Sequence, residues 1–150
     1  MLVRKPPAEV FNAFINPEVT KHFWFTKGSG TLKEGKEVSW TWEMYDLTTK
    51  VIPSKIVPKE KIEFDWYDLE GKATQVELNF KALSDENTFV TAEHYGFKEQ
   101  GDELVEAIKD STGGFTIVLT GLKCYLEYGI NLRLIGDKFP KELREDGEHK

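Results

Sequence analysis

The chain has 150 residues, enough for one globular unit with a real core, and its 39% hydrophobic and 13% aromatic residues exclude a disordered chain. A net charge of −6 argues against a general nucleic-acid binder. No apolar run approaches the ~18–20 residues that span a bilayer, Met1 to Pro7 lacks the apolar core of a secretion signal, and the lone Cys124 excludes an intramolecular disulfide framework; a soluble, cytoplasmic protein is expected.

Leu2 to Arg4 reads as a very short strand. Pro6-Pro7 opens a helix, because proline's missing N–H needs no partner in the first turn. Val10, Phe11 and Phe14 give it a buried side. Asn16-Pro17 stops it and starts a second helical piece, Glu18 to about Phe23. Gly28-Ser29-Gly30 reads as a flexible loop.

The period then changes to two. Val38, Trp40, Trp42 and Met44 alternate with Glu37, Ser39, Thr41 and Glu43 in a half-buried strand. Tyr45-Asp46 reverses the chain. Thr48 to Val57 is the next strand, with Pro53 at a bulge or an unpaired edge. Ile62, Phe64 and Trp66 face inward in the third. Val76, Leu78 and Phe80 do so in the fourth. Phe89 to Phe97 is the last. Polar turns at Pro58–Lys61, Asp68–Gly71 and Ser84–Asn87 separate them, the pattern of an antiparallel meander.

Glu103 to Lys109 reads as a short surface helix with Leu104, Val105 and Ile108 inward. A separate long helix follows, capped by Ser111 or Thr112 and stopped by Gly129. Phe115, Val118, Leu119, Leu122 and Leu126 form its core stripe. Ile117, Gly121, Cys124 and Tyr128 form a second, weaker one. The chain's own Ile130–Ile135 segment is favoured over a second subunit as its cover. The charged end from Lys141 is expected to fray. Without an internal repeat or linker, residues 1–150 are expected to form one domain.

This order resembles the helix-grip fold of the START/Bet v 1-like superfamily, an α+β fold whose curved antiparallel sheet wraps a long C-terminal helix. Arg4 to Phe11 resembles its opening phrase. Pro17-Glu18 with Phe23-Trp24-Phe25 resembles the close of its second helix, and His94-Tyr95-Gly96-Phe97 the end of its last strand. Gly113-Gly114-Phe115 with Leu119, Leu122 and Tyr125-Leu126-Glu127 resembles the final helix of the branch named for the activator of the Hsp90 ATPase. That branch usually has a longer first strand and a tryptophan where Phe115 stands. Its co-chaperone carries a further N-terminal chaperone-binding domain that these residues do not match.

The resemblance implies a pocket between sheet and helix. The candidate lining is Trp24, Trp40, Trp42, Phe64, Trp66, Leu78, Phe80, Val90, His94, Phe115, Leu119 and Leu122. A small hydrophobic guest, lipid-like or aromatic, would be held there by burial, with His94, Tyr95 or Trp24 fixing a polar end. His94 shares a face with Val90 and Ala92. Glu93 points the other way and cannot pair with it. The competing reading of His94 is a strand-end histidine bonded to a neighbour. His22 and His149 read as surface residues, and Cys124 as packing. Asp46, Glu63, Asp65 and Glu77 read as solvated faces, and Gly28–Gly30 lacks the lysine and helix of a phosphate loop.

No metal or other cofactor is expected, since the three histidines and one cysteine have no ligand spacing. No catalytic residue is assigned. An enzyme needs at least two converging polar groups, and His94 alone qualifies, so that reading ranks last. The alternative to ligand binding is a protein-interaction module resembling the Hsp90 activator's C-terminal domain, with a chaperone as partner. Monomer and homodimer both remain open.

Overall fold

The structure, a computed structural model, describes residues 1–144. Its sheet has seven antiparallel strands: β1 (Leu2–Val3), β2 (Lys27–Gly28), β3 (Val38–Trp42), β4 (Leu47–Val57), β5 (Lys61–Tyr67), β6 (Ala73–Ser84) and β7 (Asn87–Tyr95). They lie in the order β1-β7-β6-β5-β4-β3-β2. Helices α1 (Pro7–Ile15) and α2 (Pro17–Thr20) follow β1, and the long α3 (Gly101–Tyr128) lies across the concave face. This is the helix-grip arrangement.

Alternation chose the faces. Ile62 pairs with Leu78, Phe64 with Val76 and Phe80 with Val90, all buried in one layer. Pro53 sits at a bulge in β4, where its missing N–H costs no ladder bond. Phe115, Val118 and Leu122 of α3 are buried against this layer, with Leu119 and Leu126 packed beside them.

Several boundaries differ from the sequence reading. β3 ends at Trp42, and Glu43–Tyr45 coils into a 3₁₀ turn closed by Asp46 at φ 49°. Lys27–Gly28 is a short strand on β3 instead of loop. A Cβ at Gly28 would lie 2.9 Å from both Phe25 and Pro17, so glycine's absent side chain lets the chain pass there. The two predicted C-terminal helices are one. Glu103, Leu104, Glu106, Ala107 and Lys109 are good helix formers with no proline among them, and they carry α3 unbroken through Ser111 and Thr112. Gln100 is the N-cap. Val105 and Ile108 face solvent instead of the core.

Gly129 ends α3 in the left-handed conformation. The chain then folds back as α4 (Leu134–Lys138) and packs against α3. Lys141–Leu143 forms a 3₁₀ turn. Arg144 donates from Nη1 to the Met44 carbonyl at 2.8 Å and from Nε to the Phe139 carbonyl at 2.7 Å. The expected fraying therefore does not describe Lys141–Arg144; the rest of that segment, with His149, lies outside the described residues.

The short first strand is tied down by side chains. Lys123 Nζ donates to the Leu2 carbonyl and to Glu127, both at 2.7 Å. The Arg4 N–H donates to Glu127 at 2.8 Å. Burial pushes the Glu127 carboxyl up, but these donors outweigh it and hold it below its ordinary range. Among the described residues no helix is long and apolar enough to cross a membrane.

Candidate functional site

The sheet and α3 do not meet along their whole length. Between them lies a cavity of about 390 Å³. Its sheet side is formed by Trp42, Leu47, Trp66 and His94, with Trp24 from the chain after α2. Its helix side is Ser111, Gly114, Phe115, Ile117 and Val118. Tyr45, Ile135 and Phe139 close it, and Asp110 and Lys138 stand on its rim. The Tyr45 hydroxyl donates to the Ile135 carbonyl, so the 3₁₀ turn after β3 is strapped to α4 over the hollow.

Five of the twelve anticipated residues thus meet in this wall: Trp24, Trp42, Trp66, His94 and Phe115. Leu119 lies in a smaller neighbouring hollow of about 190 Å³ that His94 and Phe115 also border. Trp40, Phe64, Leu78, Phe80, Val90 and Leu122 are placed differently, in the packed core and away from the cavity wall. The sequence reading missed Tyr45, Leu47, Phe97, Ile135 and Phe139. The signal for part of this set was the second stripe of α3: Ile117 needed a cover, and the returning tail supplies Ile135. Gly121 on the same stripe is covered instead by Phe23, while Tyr128 stays exposed.

The indoles form a continuous aromatic surface. Trp42 and Trp66 stack at 6.1 Å with planes 28° apart. Trp24 meets Trp66 edge-on at 5.8 Å and Phe115 at 5.5 Å. Aromatic contacts of this kind add to the stabilisation from burial itself.

His94 is braced on both sides. Its Nδ1 is 2.7 Å from the Ser111 hydroxyl and its Nε2 is 2.7 Å from the Thr74 hydroxyl. Burial lowers its pKa from 6.5 to about 4, so the ring is neutral at pH 7. One nitrogen then donates and the other accepts, which a hydroxyl on each side satisfies. No lone pair is free for a guest's proton. The reading of His94 as a base or ligand anchor gives way to one in which it ties β7 to β6 and α3 and turns its ring face to the cavity. Tyr95 is exposed at the strand end and does not line the cavity.

A second, more polar hollow of about 650 Å³ meets the first at Leu47, Trp66 and His94. It runs out between the Asp68–Lys72 turn and Lys98–Glu99. Among the described residues, no group of three or more His, Cys, Asp or Glu side chains converges as a metal site would require.

The family model for Activator of Hsp90 ATPase homolog 1-like protein matches residues 4–127. The chain belongs to this family. The protein SSP2350 from Staphylococcus saprophyticus is similar in structure, with a TM-score of 0.74 and 27% identity over 89% of this chain and 92% of that one. The Aha1 dimer from Colwellia psychrerythraea gives a TM-score of 0.68 at 16% identity, over 86% and 93% of the two chains. An HSP90 activator from Plasmodium falciparum gives 0.65 at 19% identity, over 85% and 92%. The latter two likenesses establish the shared fold. No curated protein matches the sequence. Within the family match, Gly114 and Phe115 of the Gly113-Gly114-Phe115 phrase stand in the helix wall of the cavity, and Pro6-Pro7 opens α1.

Proposed function

We propose that this protein binds a small apolar molecule in the hollow between its sheet and α3. The observation that carries this reading is the cavity itself. It falls within the roughly 300–1,000 Å³ typical of ligand sites and is walled by Trp24, Trp42, Trp66 and Phe115. Desolvation of an apolar body drives affinity, and shape sets selectivity. The protein acts as one domain in the cytoplasm and needs no cofactor. Heteronuclear NMR titration with lipids and flavonoid-like aromatics tests the proposal. Saturable shifts are expected at Trp42, Trp66, His94, Phe115 and Ile135. A flat response from these residues to every compound removes it.

The family name and the neighbouring HSP90 activator support a second reading, in which the chain contacts an Hsp90-type chaperone. Tyr128, Ile130 and Leu132, exposed where α3 ends, give it an apolar contact surface. On this reading the protein raises the ATP turnover of the chaperone, and substitution of these three residues by serine abolishes the stimulation. Unchanged turnover on adding the protein eliminates the reading. The dimeric Colwellia neighbour supports a homodimer over a monomer.

A further inference from the structure

A glycine stands where α3 faces the cavity. Gly114 lies one turn beyond Asp110 and Ser111 and one turn before Ile117 and Val118, all of which line the hollow. At 3.6 residues per turn, the direction of a side chain at 114 falls in the middle of that wall. A Cβ built at Gly114 meets nothing within 4 Å. Gly121, two turns on, differs: its Cβ would come within 3.2 Å of Phe23. Close packing explains Gly121 and does not explain Gly114. Mid-helix glycine is unfavourable relative to alanine, and what the missing side chain leaves is bare helix backbone facing the hollow.

The facing wall is aromatic. Trp42 and Trp66 stack, their ring centroids 6.1 Å and their planes 28° apart. Several polar atoms around the hollow already have partners. Trp66 Nε1 donates to the Thr49 hydroxyl at 2.9 Å, the Tyr45 hydroxyl donates to the Ile135 carbonyl, and both His94 nitrogens are engaged. An ionised group deep inside would be desolvated with no charged side chain beside it. Charge is found at the rim, on Asp110 and Lys138.

We propose that Gly114 sets the depth of the cavity for an uncharged, flat aromatic guest, held between the Trp42–Trp66 indole pair and the bare backbone of α3. This deepens the cavity-binding reading and rests on it. A ring system can stack by its face on the indoles, and a side chain at 114 would take space from it.

The test compares flavone, an uncharged planar probe, with palmitate, an anionic aliphatic one, by isothermal titration calorimetry. Wild type is expected to bind flavone at least tenfold more tightly than palmitate. Gly114→Leu is expected to lose tenfold or more in flavone affinity with a melting temperature at or above wild type. Gly114→Ala should lose a few-fold. Should the leucine variant not fold, the alanine variant carries the comparison. Flavone affinity unchanged in these variants overturns the role of Gly114 alone, and palmitate binding as tightly as flavone overturns the ligand class. Wild type that binds neither probe overturns the cavity reading and this inference together.

Discussion

Trp40→Ala is expected to cost about 3–5 kcal/mol of folding stability, the usual range for truncating a large buried aromatic. Trp40 is 2% exposed and lies outside the cavity wall. It packs on Phe25 at 5.0 Å, Trp24 at 4.9 Å and Phe64 at 5.2 Å between ring centroids. Its removal takes a partner from each of these rings and leaves a void that a β-sheet on one side and α2's following segment on the other cannot close. A domain of this size is stable by only about 5–15 kcal/mol, so the variant is brought close to its unfolding threshold. Trp66→Ala is the contrasting case. Trp66 is half-buried and borders open space, so its truncation enlarges an existing hollow instead of opening a new void in packed core, and the cost should be smaller while guest affinity falls. Urea denaturation with a shared m-value measures both. Equal losses for the two variants would contradict the division between packed core and cavity wall.

That division was the least legible part of the sequence. Trp40, Trp42, Phe64 and Trp66 all fall on inward positions, and alternation identifies them correctly as one face. Period records which face a residue occupies, not how far the covering helix stands from it. Whether an inward indole ends against other side chains or against a void depends on the sheet's curvature and on where α3 lifts away, which are properties of the whole fold. The five meander strands, their turns, the bulge at Pro53 and the glycine stop at Gly129 were largely legible because each is governed by a few adjacent residues; the two-residue β2 was not. Ser111-Thr112 shows the opposite. The pair carries a local capping signature, yet the Ser111 hydroxyl is bound to His94, seventeen residues earlier in the chain, and a window along the chain cannot see that partner. The tail was legible as a cover for the second stripe only at Ile117, which lines the same hollow as Ile135, while Ile130, Leu132 and Tyr128 stay exposed. Its strap through Tyr45 and Arg144 was not, because those bonds join residues 90 and 100 positions apart.

His94 gives the fold a specific sensitivity to acid. In the folded protein its pKa is about 4, against 6.5 when free, and the cause is burial. Between those values the unfolded chain binds a proton that the native ring does not. Stability from this group is therefore complete above pH 6.5, falls as the pH drops toward 4 and levels off below it. The full difference corresponds to about 3 kcal/mol; solvent screening of the partly exposed ring reduces it to about 1–2 kcal/mol. Protonation also disturbs the brace, since an imidazolium donates from both nitrogens and can no longer accept from either Ser111 or Thr74. His94→Gln removes the titration while keeping a neutral polar side chain. The variant should be the less stable protein at pH 7, where one of the two hydroxyls loses its partner. Its deficit should shrink by about 1–2 kcal/mol on going to pH 4. Glu127, whose carboxyl is held below its ordinary range, loses its contribution at lower pH in both proteins and cancels in the difference. Denaturation curves at several pH values, with the His94 ring followed by NMR, measure the effect. Wild-type and variant curves that stay parallel from pH 7 to 4 would mean that the ring titrates normally and that solvent reaches it despite the packing of Trp66, Phe97 and Phe115 around it.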